Sequence, residues 1–84
     1  MVKPDQVEAM IKEQLPDAQI QVYTNDGEHY EAVVISAQFE GKNLVQQHQM
    51  VYAAVREAMD SNAIHALALK TYTPASWAAA GQPV

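Results

Sequence analysis

The chain carries three imidazoles and no cysteine, so any coordination or proton chemistry falls to His29, His48 and His65. His65 opens an otherwise apolar run, Ile64-His65-Ala66-Leu67-Ala68-Leu69, where a histidine either packs or serves as a ligand. Without thiols there is no disulfide framework, no thiolate nucleophile and no thiolate metal site, and a reducing, cytoplasmic setting is expected. The histidines follow no His-x3-His spacing, which argues against a dedicated mononuclear zinc site. His48 falls on the apolar side of a helical run, four residues after Leu44 and three before Val51, and reads as a packing or capping residue. Asp26, Glu28 and Glu31 form an acidic group that could suggest a cation site but reads more simply as a solvated hairpin tip.

Enzyme chemistry finds little support. Ser36, Ser61 and Ser76 lack a nucleophile elbow, and Gly41-Lys42-Asn43 offers a lone glycine where a phosphate cradle needs several. The chain is read as a non-enzyme. Ten acidic residues against five basic ones give a net charge of -5, which repels phosphate backbones. Lys42, Arg56 and Lys70 are the candidate nucleic-acid contacts, but no aromatics interleave with them as a stacking platform requires. The polar start Met1-Val2-Lys3-Pro4-Asp5 and the lack of a long apolar run predict neither a signal peptide nor a membrane span.

The elements that must position these groups can be read in order. Eighty-four residues allow one small core. Pro4, Asp5 and the spacing of Val7, Met10, Ile11 and Leu15 predict an amphipathic helix over 4–15, ended by Pro16. Gln19 to Thr24 alternates as a half-buried strand, with Ile20 and Val22 on the inner face. Asn25-Asp26-Gly27 supplies left-handed turn positions, and Tyr30 to Ser36 returns as the second strand of a hairpin. Asn43 is a suitable N-cap for a helical segment over 43–60, whose periodicity fits one helix or two. Ala63 to Tyr72 forms a third strand, ended by Thr73-Pro74. The fold class is therefore α+β, a three-stranded mixed sheet with helices packed on one face. Trp77 stands in the first turn of a short helix folding back on the sheet, where closing the core is its expected job. Residues 1–77 make a single domain, and 78–84 are expected to form a frayed tail.

Two blocks carry a resemblance. Gln38-Phe39-Glu40-Gly41-Lys42-Asn43-Leu44-Val45-Gln46-Gln47-His48-Gln49-Met50-Val51-Tyr52, followed by Ile64-His65-Ala66-Leu67-Ala68-Leu69-Lys70-Thr71-Tyr72-Thr73-Pro74 and Trp77, resembles the BolA family. The likeness runs from the first helix to Trp77, and the short turn between the first two strands resembles the acid-stress, short-loop branch. It implies an αββααβ order related to the class II KH domain, with the 43–60 segment broken near Val51 or Tyr52. It also implies a monothiol glutaredoxin partner, a role in iron–sulfur cluster and iron homeostasis, and a second role in transcriptional control.

By the same resemblance, His65 matches the histidine that ligates a 2Fe-2S cluster shared with glutaredoxin and glutathione. Imidazole can replace thiolate on one iron, as Rieske centres show, and the sulfur would come from the partner side. None is expected on the isolated chain. Relatives with longer loops carry a second ligand between the first two strands, whereas this chain has only Asn25-Asp26-Gly27-Glu28 there. His29 is the nearest candidate, though it aligns more naturally with a histidine that follows the variable loop. The Gly-x-x-Gly turn by which KH domains clamp a nucleic-acid backbone is incomplete, since position 44 is leucine.

Two functions from different classes follow. One is a glutaredoxin-binding accessory protein that shares an iron–sulfur cluster. The alternative is a DNA-binding regulator of stress response using Lys42, Arg56 and Lys70. Trp77 or a strand edge could also serve docking, including a weak homodimer.

Overall fold

The computed structural model describes residues 2–81. Its order is α1 (Pro4–Gln14), β1 (Gln19–Thr24), β2 (His29–Ile35), a 3-10 turn (Ala37–Phe39), α2 (Leu44–Ala54), α3 (Arg56–Asp60), β3 (Ala66–Tyr72) and α4 (Pro74–Ala79). The strands lie in the order β1-β2-β3, with β1 antiparallel and β3 parallel to β2, so the sheet is mixed as expected.

Each boundary has a local cause. Pro4 starts α1 with its φ already helical, and the Lys3 N–H donates to Gln6 Oε1 at 2.8 Å. Asn43 caps α2 reciprocally with Gln46: Oδ1 accepts the Gln46 N–H at 2.8 Å, and Gln46 Oε1 accepts the Asn43 N–H at 3.0 Å. The 43–60 segment is two helices, but the break falls at Val55 and not at Val51 or Tyr52. There the backbone leaves helical geometry (φ -110°, ψ 15°), and the Val55 N–H bonds back three residues to Tyr52. Val51, Val55 and Ala58 are all buried and keep one helical face across the bend, which is why periodicity gives no sign of it.

β3 also begins later than Ala63. Asn62 takes a left-handed φ of 60°, and the Ile64 N–H returns to the Ala58 carbonyl at 3.0 Å, so residues 61–64 close the end of α3 before the strand starts. Of the three turn residues after β1, only Gly27 is left-handed, at φ 76°. Asp26 contributes through its side chain instead.

The core lies between the sheet and α1, α2 and α3. Val7, Ile11 and Leu15 meet Tyr30, Ala32, Val34 and Leu67 from the strands, with Phe39, Val51, Val55 and Ile64 closing the layer. Ile20 and Val22 pack against it, as the alternation predicted. Full burial of a Val, Leu, Ile or Phe side chain in this layer contributes about 1.5–3 kcal/mol. Helix α2 is also pinned to β3 by polar contacts: the Tyr52 hydroxyl donates to the Leu67 carbonyl at 2.8 Å, and the Thr71 hydroxyl to Gln47 Oε1 at 2.7 Å. α4 folds back at the end of β3 and sets Trp77 edge-on to Tyr72, with centroids 5.0 Å apart, outside the main core cluster. This helix continues through Ala79, two residues into the expected tail; Gln82, Pro83 and Val84 lie outside the described residues.

Alternation leaves the other face of the sheet with Gln21 and Tyr23 from β1, His29, Glu31 and Val33 from β2, and Ala66, Ala68 and Lys70 from β3. The histidine end of the molecule opens onto this face.

Candidate functional site

The site is assembled by the β1–β2 turn and the parallel pairing of β2 with β3. His29 is the first residue of β2 and stands in register with Ala66. His65, the residue before Ala66, therefore arrives beside it. The Glu28 carbonyl accepts the N–H of both His65, at 3.0 Å, and Ala66, at 3.1 Å, tying the approach to β3 to the hairpin. The two imidazole rings meet edge to face, with centroids 5.4 Å apart and an interplanar angle of 81°. Both histidines are exposed.

The turn itself is built around Asp26. Its Oδ1 accepts the N–H groups of Glu28 and His29, each at 2.9 Å, and its Oδ2 lies 2.7 Å from His29 Nδ1. The Thr24 hydroxyl donates to the His29 carbonyl at 2.9 Å and accepts the Gly27 N–H at 3.0 Å. The backbone N–H of His29, that of Glu28 and then the His29 ring hold the Asp26 carboxyl far below the usual carboxylate range. In return the hydrogen bond that the His29 ring donates to Asp26, together with the Asp26 charge, raises His29 above the ordinary histidine value.

A shallow groove of about 380 Å³ runs from this turn along the open sheet face, lined among others by Tyr23, Asp26, His29, Glu31 and Ala68. Asp26, Glu28 and His29 also place ligand atoms within 4.8 Å of one another. The acidic tip thus faces one of the candidate ligands, which sequence reading did not anticipate. The available signal was the Asp-x-x-His spacing across a glycine turn.

The remaining candidates lie elsewhere. His48 stays on α2, half-buried, with a buried Nε2 that has no hydrogen-bond partner. Lys42 precedes α2 and Arg56 begins α3, both exposed on the helical side. Lys70 sits on β3 between inward-directed Leu69 and Thr71, and lines the open sheet face with Tyr23, Glu31 and Val33. The sheet therefore separates Lys70 from the other two cations.

The family model for BolA-like proteins matches residues 6–76. The chain belongs to the BolA-like family. Among BolA-like relatives, it is 38% identical over 55 residues to the acid stress protein IbaG of Escherichia coli K12, a match covering 66% of each chain. It is 41% identical over 81 residues to the protein BOLA2 of Arabidopsis thaliana, covering 92% of this chain and 85% of that one. The DNA-binding transcriptional regulator BolA of Haemophilus influenzae is 39% identical over 56 residues, 67% of this chain and 53% of its own length. A BolA homologue from Coxiella burnetii superposes with a TM-score of 0.80 at 38% identity, covering 93% of this chain and 99% of the other. Two of these relatives are named as a stress protein and a transcriptional regulator. No helix among the described residues is long and apolar enough to cross a membrane.

Proposed function

We propose that this BolA-like protein binds a monothiol glutaredoxin and shares a 2Fe-2S cluster with it, acting in iron–sulfur cluster and iron homeostasis. The observation that carries the reading is the exposed His29–His65 pair, two imidazoles 5.4 Å apart at the rim of the sheet. Two imidazoles on one tetrahedral ion, each with a ring nitrogen about 2 Å from the metal, have centroids about 5 Å apart. The donor set suits the group in chemistry as well, because two neutral imidazoles can replace two thiolates on one iron of such a cluster. Thiolates for the other iron must come from outside a chain that has no cysteine. When bound, the cluster supplies electron-accepting or transferable iron and sulfide.

The chain's own part is to hold the ligands. His65 is held through its backbone by Glu28, and His29 through both backbone and ring by Asp26. Because both rings are exposed, a partner can reach them without unfolding the domain.

Co-expression with a monothiol glutaredoxin, followed by gel filtration and visible spectroscopy under anaerobic conditions with glutathione, tests the reading. A coloured heterocomplex is expected, and its absence would overturn the proposal. The second reading, DNA binding in transcriptional control of stress, is supported by the name of the Haemophilus influenzae relative. It rests on Lys42 and Arg56 and is opposed by the net charge of -5.

A further inference from the structure

We infer that Asp26 is a positioning residue which fixes the tautomer and direction of the His29 ring, so that His29 offers Nε2, and only Nε2, as its metal-binding atom. The inference rests on the proposed reading of His29 as a ligand and goes beyond it, because it names the atom and the group that selects it.

A carboxylate can only accept, so the 2.7 Å contact between Asp26 Oδ2 and His29 Nδ1 places a hydrogen on Nδ1. In a neutral imidazole the lone pair is then on Nε2 alone. Metal-binding histidines commonly give their second ring nitrogen to a carboxylate in this way, which orients the ring and raises its basicity. The Asp26 side chain is itself immobilised. Its Oδ1 accepts two backbone N–H groups at 2.9 Å each, so turning away from the ring forfeits both bonds. On a ring whose side chain is 61% exposed, little else sets the direction, whereas Asp26 sets it from inside the same turn.

The same geometry makes Asp26→Asn informative. Two backbone N–H donors require the amide oxygen to remain where Oδ1 now is, because the alternative sets donors against donors. The turn is kept, and the amide NH2 then faces His29 Nδ1. That nitrogen must become the acceptor, which moves the hydrogen to Nε2 and removes the lone pair a metal would use.

The test has two readouts. Long-range 1H–15N NMR on the isolated chain, at a pH where His29 is neutral, should show the Nδ1–H form in the wild type and the Nε2–H form in Asp26→Asn. Unchanged tautomers would overturn the inference whatever the cluster does. In the reconstituted glutaredoxin complex, Asp26→Asn should release iron to a chelator about 10-fold faster or more, with visible circular dichroism moving toward that of His29→Ala. A tautomer switch with unaltered release, while His29→Ala speeds it, would also overturn the inference and leave His29 a ligand. If His29→Ala itself leaves release and spectrum unchanged, the ligand reading of His29 fails and the inference falls with it. Backbone amide spectra of Asp26→Asn that match the wild type outside the turn show that the fold is intact.

Discussion

The carbonyl of Glu28 holds the N–H of His65 at 3.0 Å, so the position of the second histidine is set by the turn that presents the first. The hairpin tip and the entry to β3 behave as one unit, and the hinge of that unit is Gly27, at φ 76°. A side chain there costs about 1–2 kcal/mol. Gly27→Ala should therefore lower stability by about that amount in urea denaturation. It should also shift the amide resonances of both His29 and His65, although only one of them belongs to the hairpin. Shifts confined to residues 24–30 would show that the two are not coupled.

His65→Ala separates ligand from packing residue. The side chain is exposed and lies outside the core cluster, so its loss should change stability by no more than about 0.5 kcal/mol. In the reconstituted glutaredoxin complex the same variant should alter the visible absorption and circular dichroism. A clear drop in melting temperature with an unchanged spectrum would assign His65 to packing.

The Asp26–His29 pair predicts a defined pH window. Asp26 is depressed in the folded state, so its contribution is present above the ordinary aspartate range and is lost only as pH falls through its lowered folded value. His29 is raised, so its contribution is complete below the ordinary histidine value and disappears as pH rises through the folded one. The contact is worth most between about pH 4 and 6.5, the two unfolded values. NMR titration should place His29 above the ordinary histidine value, and Asp26→Ala should bring it back down.

Asp17 supports the opposite end of the sheet. Its carboxylate accepts from the Ser36 hydroxyl at 2.9 Å, the Ala37 N–H at 2.9 Å and the Gln38 amide at 3.0 Å. Burial pushes this carboxyl up, but the Ala37, Gln38 and Ser36 bonds together outweigh it and leave the group lowered. Asp17→Ala leaves the O–H of buried Ser36 without its acceptor and should cost about 1–2 kcal/mol near neutral pH. The difference from wild type should shrink as pH falls through the lowered carboxyl value, since protonation weakens the same bonds. Denaturation curves at neutral and acidic pH would check both.

How much of this could be read from the residues depends on how local each cause is. α1, the bounds and alternation of β1 and the Asn43 cap follow from patterns within a few positions, and they match the structure closely. The late start of β3 does not, because Ala63 and Ile64 look like strand residues while their backbone closes a helix through Asn62 and Ala58. The histidine pair is the clearest case. His29 and His65 share no spacing motif, and only the parallel β2–β3 register, with His29 opposite Ala66, brings their rings together. The Asp26–His29 contact was hidden for a different reason: a carboxylate in a turn reads as solvated charge, and only the folded turn brings its Oδ2 to the ring three positions on.

The placement of Lys70 constrains the alternative function. Each phosphate contact on duplex DNA contributes about -0.9 to the slope of log K against log salt, so three contacts would give about -2.7. Lys42 and Arg56 lie on the helical side, whereas Lys70 lies across the sheet with Tyr23 and Val33. One duplex laid against the helices can meet the first two but not the third. DNA binding through Lys42 and Arg56 should then show a slope of about -1.8, unchanged in Lys70→Ala and halved in Arg56→Ala. Fluorescence anisotropy across a salt series would measure it. A steeper slope that falls by about 0.9 in Lys70→Ala would mean the nucleic acid is read from the open sheet face, in direct competition with a partner seated at His29 and His65.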